Sequence, residues 1–250
     1  MNVTPAASIR TCHVPSLNRR VLLVLLTIAL LLTVDPTPAS AHEIIVYSFV
    51  TDAGKKVTAP TPDHPVNILL GSYGYQEAGA PAAGERSPPP EYVERLVRHA
   101  LASSGYKDGT DHYPEEDLMV TYSWGTMNPV MVRNDGTRDV CLNEEEMLRL
   151  VGGNAPSRMW RDREAYESIR EAALEPRYFV VVSGYDFAAY LKQRVKKLLW
   201  RAQMSIHSTG LTQTEAVPML LAAGAALFGC ETPIPRRITM HVSGILSPEP

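Results

Sequence analysis

Between Leu198 and His207 the chain alternates. Leu198, Trp200, Ala202, Met204 and Ile206 fall on one side, and Leu199, Arg201, Gln203, Ser205 and His207 on the other. A period of two with one apolar face predicts a half-buried strand. Upstream, Tyr178 to Val182 is aromatic and β-branched, a composition that also favours strand. Arg177 to Ser208 therefore reads as a long antiparallel ribbon turning near Gln193–Lys196. That register sets Tyr185 against Met204, Phe187 against Ala202 and Leu191 against Leu198, and buries one face coherently. A second reading stands beside it. Phe187, Tyr190, Leu191, Val195, Leu198 and Leu199 also recur at helical spacing, with Asp186 placed as an N-cap. The intervening RVKK lacks the Asn-Gly or Asp-Gly of a tight hairpin.

The rest of the chain supplies partners for this ribbon. Glu43–Val50 and Val66–Tyr75 read as strands, the latter from the alternation of Val66, Ile68 and Leu70. Glu91–Ser104 carries a stripe of Val93, Leu96, Val97, Ala100 and Leu101, with acids in its first turn and Gly105 behind it, which predicts a helix. Asp117–Trp124 alternates as a strand, and Asn134-Asp135-Gly136 marks a turn toward Thr137–Leu142. Asn143 is placed to cap a short helix to Val151, whose first-turn glutamates Glu144, Glu145 and Glu146 need no metal to explain them. Arg158–Leu174 predicts a mostly polar helix with Trp160, Ala165 and Ile169 facing inward. Thr212 and Glu215 have capping-box spacing, and Pro218 sets the start of the regular helix close to itself. Met219–Phe228 is apolar on nearly every side but thin with alanine and glycine, the profile of a helix pressed against a sheet. Ile238, Met240 and Val242 offer a further strand.

These elements predict an α+β fold, with an antiparallel sheet built on the long hairpin and helices mainly on one face. The expected organisation is a signal peptide over 1–41, an N-terminal strand and tether over 42–65, one α+β domain over 66–235 with a proline-rich loop at 78–90, and a tail over 236–250. The signal reading rests on Arg19 and Arg20, the apolar run Val21–Val34 and the small residues Ala39-Ser40-Ala41. That run, of about 14 residues, is short of the roughly 20 that a membrane-spanning helix needs. Cleavage between Ala41 and His42 is expected, which places the protein in the periplasm or outside the cell and leaves no transmembrane span. A formal net charge of −3 with 20% charged residues argues against a nucleic-acid partner.

The run VSGYDFAAYLK…LLWRAQMS, followed by AVPMLLAAGAALFGCET, resembles a group of uncharacterised secreted bacterial proteins, and is distantly similar to envelope families known only as domains of unknown function. The matching residues are Gly105 and Tyr106 after a leading helix, Asp117, Leu118 and Val120 at a strand, and Asp186, Leu198, Leu199 and Trp200 on the ribbon. The resemblance runs from about Pro65 onward, and no activity comes with it.

The sequence holds no HExxH, GxSxG, P-loop, GxGxxG or CxxC pattern, and its seven histidines are never paired at ligand spacing. No catalytic residue and no cofactor is assigned. Asp186, Ser205 and His207 offer the types for a nucleophilic site, but alternation on a strand and an Asp186–Arg201 ion pair account for them more simply. Lys192, Arg194, Lys196, Lys197 and Arg201 form a basic tip suited to anionic headgroups or a cell-wall polymer, or to blunting a sheet edge. Cleavage before His42 would leave an amino-terminal amine and imidazole, a bidentate nitrogen pair for Cu(II) that a second histidine completes. Removal of Cys12 with the signal leaves Cys141 and Cys230 as a candidate disulfide in an oxidising compartment. The reading is of a non-catalytic exported protein acting by binding or structure on an unknown envelope or extracellular partner. A loop-built hydrolase and a copper protein with an amino-terminal His42 ligand are the alternatives.

Overall fold

A computed structural model describes residues 40–81, 86–109, 117–134, 138–152 and 162–242. The expected signal peptide up to Ala39, the Asp135-Gly136 turn, Trp160 in the first turns of the polar helix, and the tail after Val242 lie outside the described residues.

Nine strands and five α-helices follow in chain order among the described residues. They are β1 (Ser40–Val50), β2 (Val66–Gly79), α1 (Pro90–Ser103), β3 (Tyr106–Asp108), β4 (Leu118–Asn128), β5 (Met131–Asn134), β6 (Arg138–Cys141), α2 (Glu144–Gly152), α3 (Arg163–Ala173), β7 (Arg177–Asp186), α4 (Phe187–Gln193), β8 (Leu198–His207), α5 (Gln213–Gly224) and β9 (Arg236–Val242). Seven strands form one sheet in the order β3-β2-β4-β7-β8-β1-β9, and β5 and β6 make a separate hairpin. β2 runs parallel to β3 and β4, and every other pairing is antiparallel. The fold is α+β. β1 and β9 belong to the sheet, and Ser40–Val242 forms one compact unit.

The ribbon is two long strands, but its connection differs from a turn at Gln193–Lys196. Both readings of the sequence hold in part: β7 stops at Asp186, a seven-residue helix follows, and β8 starts at Leu198. Asp186 is that helix's N-cap, its carboxylate accepting from the Ala189 amide at 2.9 Å. Inserting the helix changes the register. Val180 faces Met204, Val182 faces Ala202, Gly184 faces Trp200 and Tyr185 faces Leu198. Tyr185 therefore does not oppose Met204, nor Phe187 Ala202.

Trp200, Ala202, Met204 and Ile206 do bury one face, joined by Ile44, Val46, Val120, Tyr122, Trp124, Val180 and Val182 and covered by α1 and α5. This is the larger core. Gly224 on α5 lies against Met204, and a Cβ there would come 2.1 Å from the sulfur, so the thinness of that helix is what lets it touch the sheet. α5 starts at Gln213, five residues before Pro218, because the capping box is complete. Thr212 accepts from the Glu215 amide, and the Glu215 carboxylate accepts from the Thr212 amide at 2.8 Å.

The opposite face carries two smaller cores. Ile45 and Tyr47 pack against Met147 and Val151 of α2 and Ile169, Ala172 and Ala173 of α3. Farther along the sheet, Met119, Tyr185 and Phe187 pack together under α4. Asn143 does not cap α2 with its side chain. It pins the end of β4, accepting from the Val130 amide at 2.8 Å and donating to the Asn128 carbonyl at 2.9 Å.

Candidate functional site

Two regions gather polar and charged side chains. The first is a pocket of about 330 Å³ under α3, lined among others by Glu43, Ser168, Glu171, Glu175, Arg177, His207 and Arg237. Its floor is Arg177, 2% exposed at the start of β7. Four partners hold the guanidinium: the Ser205 hydroxyl at 3.1 Å, the Ser205 carbonyl at 3.3 Å, the Ala172 carbonyl at 3.2 Å and Glu175 at 3.3 Å. Burial pushes its pKa down to about 10, and Glu175 opposes that fall, so it carries its charge at neutral pH. At the rim, Arg237 pairs with Glu43 and donates to the Ser168 hydroxyl at 2.6 Å. These contacts tie α3, β1, β7, β8 and β9 together.

The candidate nucleophilic site is not assembled. Ser205 is 1% exposed and its hydroxyl accepts from Arg177, while the His207 ring meets Thr209 at 3.2 Å. Asp186 sits at the other end of the ribbon, where Leu198 and Tyr185 pair. Nor does Asp186 bond Arg201. It pairs with Lys197 at 3.5 Å, and Arg201 donates to the Ser183 hydroxyl at 3.0 Å.

His42 lies on β1, opposite Met240. By alternation with Ile44 and Val46 it belongs to the α5 face, and Glu215 at the α5 N-terminus feels its charge. His207 alternates with Ile206 and by the same count belongs to the other face, yet His42 and His207 both line the pocket under α3. Among the described residues no group of three or more His, Cys, Asp or Glu side chains is placed to hold a metal ion.

Cys141 and Cys230 are free thiols, one buried and one exposed. Cys141 ends β6 ahead of α2, and its Sγ meets Asn143 Oδ1 at 3.2 Å. Cys230 follows Leu227 and Phe228 on the α5 side, where its carbonyl accepts from the Ser48 hydroxyl at 2.7 Å. The expected bridge is not made: Cys141 ends the separate β5–β6 hairpin, while Cys230 follows Leu227 and Phe228 of the larger core.

The second region is the basic tip. From Leu191 to Lys197 every residue is exposed. The stretch holds Lys192, Arg194, Lys196 and Lys197 and no acid, and the nearest acids along the chain are Asp186 and Glu215. Arg194 closes α4 in the left-handed conformation, φ 58°, and its guanidinium lies 5.8 Å from the Tyr190 ring centre. Lys196 lies 5.0 Å from the ring centre of Tyr73 on β2 and donates to the Tyr73 hydroxyl at 2.8 Å, which raises the pKa of the lysine. Leu191 is 47%, Val195 52% and Tyr73 50% exposed. The charges were legible in the sequence. The short helix was one of the sequence's two readings, but the contact of Lys196 with Tyr73 of β2 was not legible.

No family model matches the chain, and no curated protein matches it. Among solved structures, a PelC dodecamer from Paraburkholderia phytofirmans is similar at a TM-score of 0.34 and 10% identity, covering 76% of this chain and 99% of that one. A leucine-to-methionine variant of the same protein matches at 0.34 and 10%, covering 74% and 99%. A likeness of that degree carries no argument about this chain. Among the described residues no helix is long and apolar enough to cross a membrane.

Proposed function

We propose that this is an exported, non-catalytic protein of the bacterial envelope or exterior that acts by binding, and that its binding surface is the tip formed by α4, the 194–197 loop and Tyr73. The observation that carries this reading is the run of seven exposed residues, Leu191–Lys197, with four cations, two aliphatic side chains and no acid. Leu191 and Val195, with Tyr73 beside Lys196, add about half-exposed apolar surface to these charges. The polar pocket supports a structural role instead, since its arginines are spent on carbonyls, hydroxyls and glutamates of neighbouring elements.

The test is expression of the full chain in a bacterial host, followed by fractionation, intact mass and treatment with a serine-directed activity probe. Recovery outside the cytoplasm with a mass starting at His42 and no probe labelling is the expected result. Cytoplasmic retention at full mass would overturn export, and labelling of Ser205 would favour the hydrolase alternative.

A further inference from the structure

We infer that the tip docks on the surface of an anionic phospholipid bilayer. The inference rests on the reading of the tip as the binding surface and names what it binds. Four cations within seven residues would attract any polyanion, so the charge alone does not choose among partners. The apolar side chains do. Leu191, Val195 and Tyr73 present hydrocarbon surface beside those cations, each about half exposed. A soluble anionic polymer gains nothing from that surface, whereas the boundary between headgroups and acyl chains receives aliphatic groups, a tyrosine ring and the stems of lysines together.

Charge placement supports the same orientation. The chain as a whole is negative, with glutamates crowded on α2 and α3, including Glu144, Glu145, Glu164, Glu167 and Glu171. An anionic surface therefore repels most of the molecule and attracts the tip. Two of the cations sit over tyrosine rings, and of the four only Lys197 has a carboxylate within ion-pair distance among the described residues.

The experiment is vesicle flotation with protein collected after export, its mass checked so that the apolar Val21–Val34 run is absent. The probes are vesicles of equal phosphatidylglycerol and phosphatidylcholine, vesicles of phosphatidylcholine alone, and soluble polyaspartate as the lipid-free polyanion. Wild-type protein should partition to the anionic vesicles and lose at least ten-fold on phosphatidylcholine. Each of Lys192→Gln and Lys196→Gln should lower partitioning about five-fold, less at high salt. Leu191→Asn combined with Val195→Asn, which leaves the charge unchanged, should lower it at least ten-fold, while Val132→Asn on the exposed β5–β6 hairpin should leave it unchanged. All these positions are exposed, and unchanged thermal melting shows that folding is intact. Equal partitioning to both vesicle types, or partitioning indifferent to the Leu191 and Val195 changes, would overturn the inference. Binding to polyaspartate as tight as to the anionic vesicles would assign the tip to a soluble polyanion instead. Such a result at a mass starting from His42 removes the lipid and leaves export standing.

Discussion

Gly184 stands directly opposite Trp200 across the β7–β8 pair, and the indole fills the space a side chain at 184 would need. A Cβ built on Gly184 would lie 2.3 Å from the indole Nε1. The ring is then stacked on Phe228 at 5.9 Å and tilted against Tyr106 at 5.6 Å. Gly184→Ala should therefore cost about 1–3 kcal/mol through overpacking, and Trp200→Ala about 3–5 kcal/mol through the cavity. Gly71→Ala is the contrast. Its Cβ would meet only Thr121 at 3.8 Å, so equilibrium denaturation should place it within about 1 kcal/mol of wild type.

Arg177→Met should destabilise by about 2–4 kcal/mol, because it strips the partner from the Ala172 carbonyl and from both oxygens of buried Ser205. Arg237→Met removes contacts at an exposed rim and should cost about 1 kcal/mol or less. Urea midpoints of the two variants check the order. Equal losses would mean that the pocket floor is not a structural tie.

The capping box gives a pH signature. The Thr212 amide, then its hydroxyl, holds the Glu215 carboxylate below its ordinary value of 4.5. A depressed folded pKa contributes stability that is present above the unfolded value and lost as pH falls through the folded one. The stability difference between wild type and Glu215→Gln should thus be constant at neutral pH and shrink below about pH 4.5. Thr212→Ala should cost about 1 kcal/mol at pH 7.

Cys141 and Cys230 should both take up an alkylating label when the unreduced protein is denatured. In the native protein Cys230 should label quickly and Cys141 slowly, following their exposure. Mass spectrometry of the labelled peptides reads this directly, and protection of both after denaturation would restore the bridge.

The strand alternation over 198–207, the α1 stripe, the Thr212–Glu215 box and the thinness of α5 were all local patterns, and each reached the structure because a periodicity or a cap needs only its neighbours in sequence. The Trp200–Ile206 face was legible for the same reason, whereas Leu198, expected on that face, packs with Met119, Tyr185 and Phe187 on the opposite one. The register was not. It depended on whether 187–193 turned, coiled or extended, and those residues hold both an N-cap at Asp186 and strand-forming flanks. Only packing of Phe187 on Met119 and Tyr185 decided for the helix. In the same way Glu43–Val50 was readable as a strand, but nothing along the chain placed it between β8 and β9, since that position is set by the burial of Ile44 and Ile45 on two opposite cores. The fate of His42, Ser205, His207 and the cysteines lay beyond the sequence for a related reason. Whether side chains meet is decided by which face of the sheet each one occupies, and the sheet exists only after residues far apart in the chain have paired.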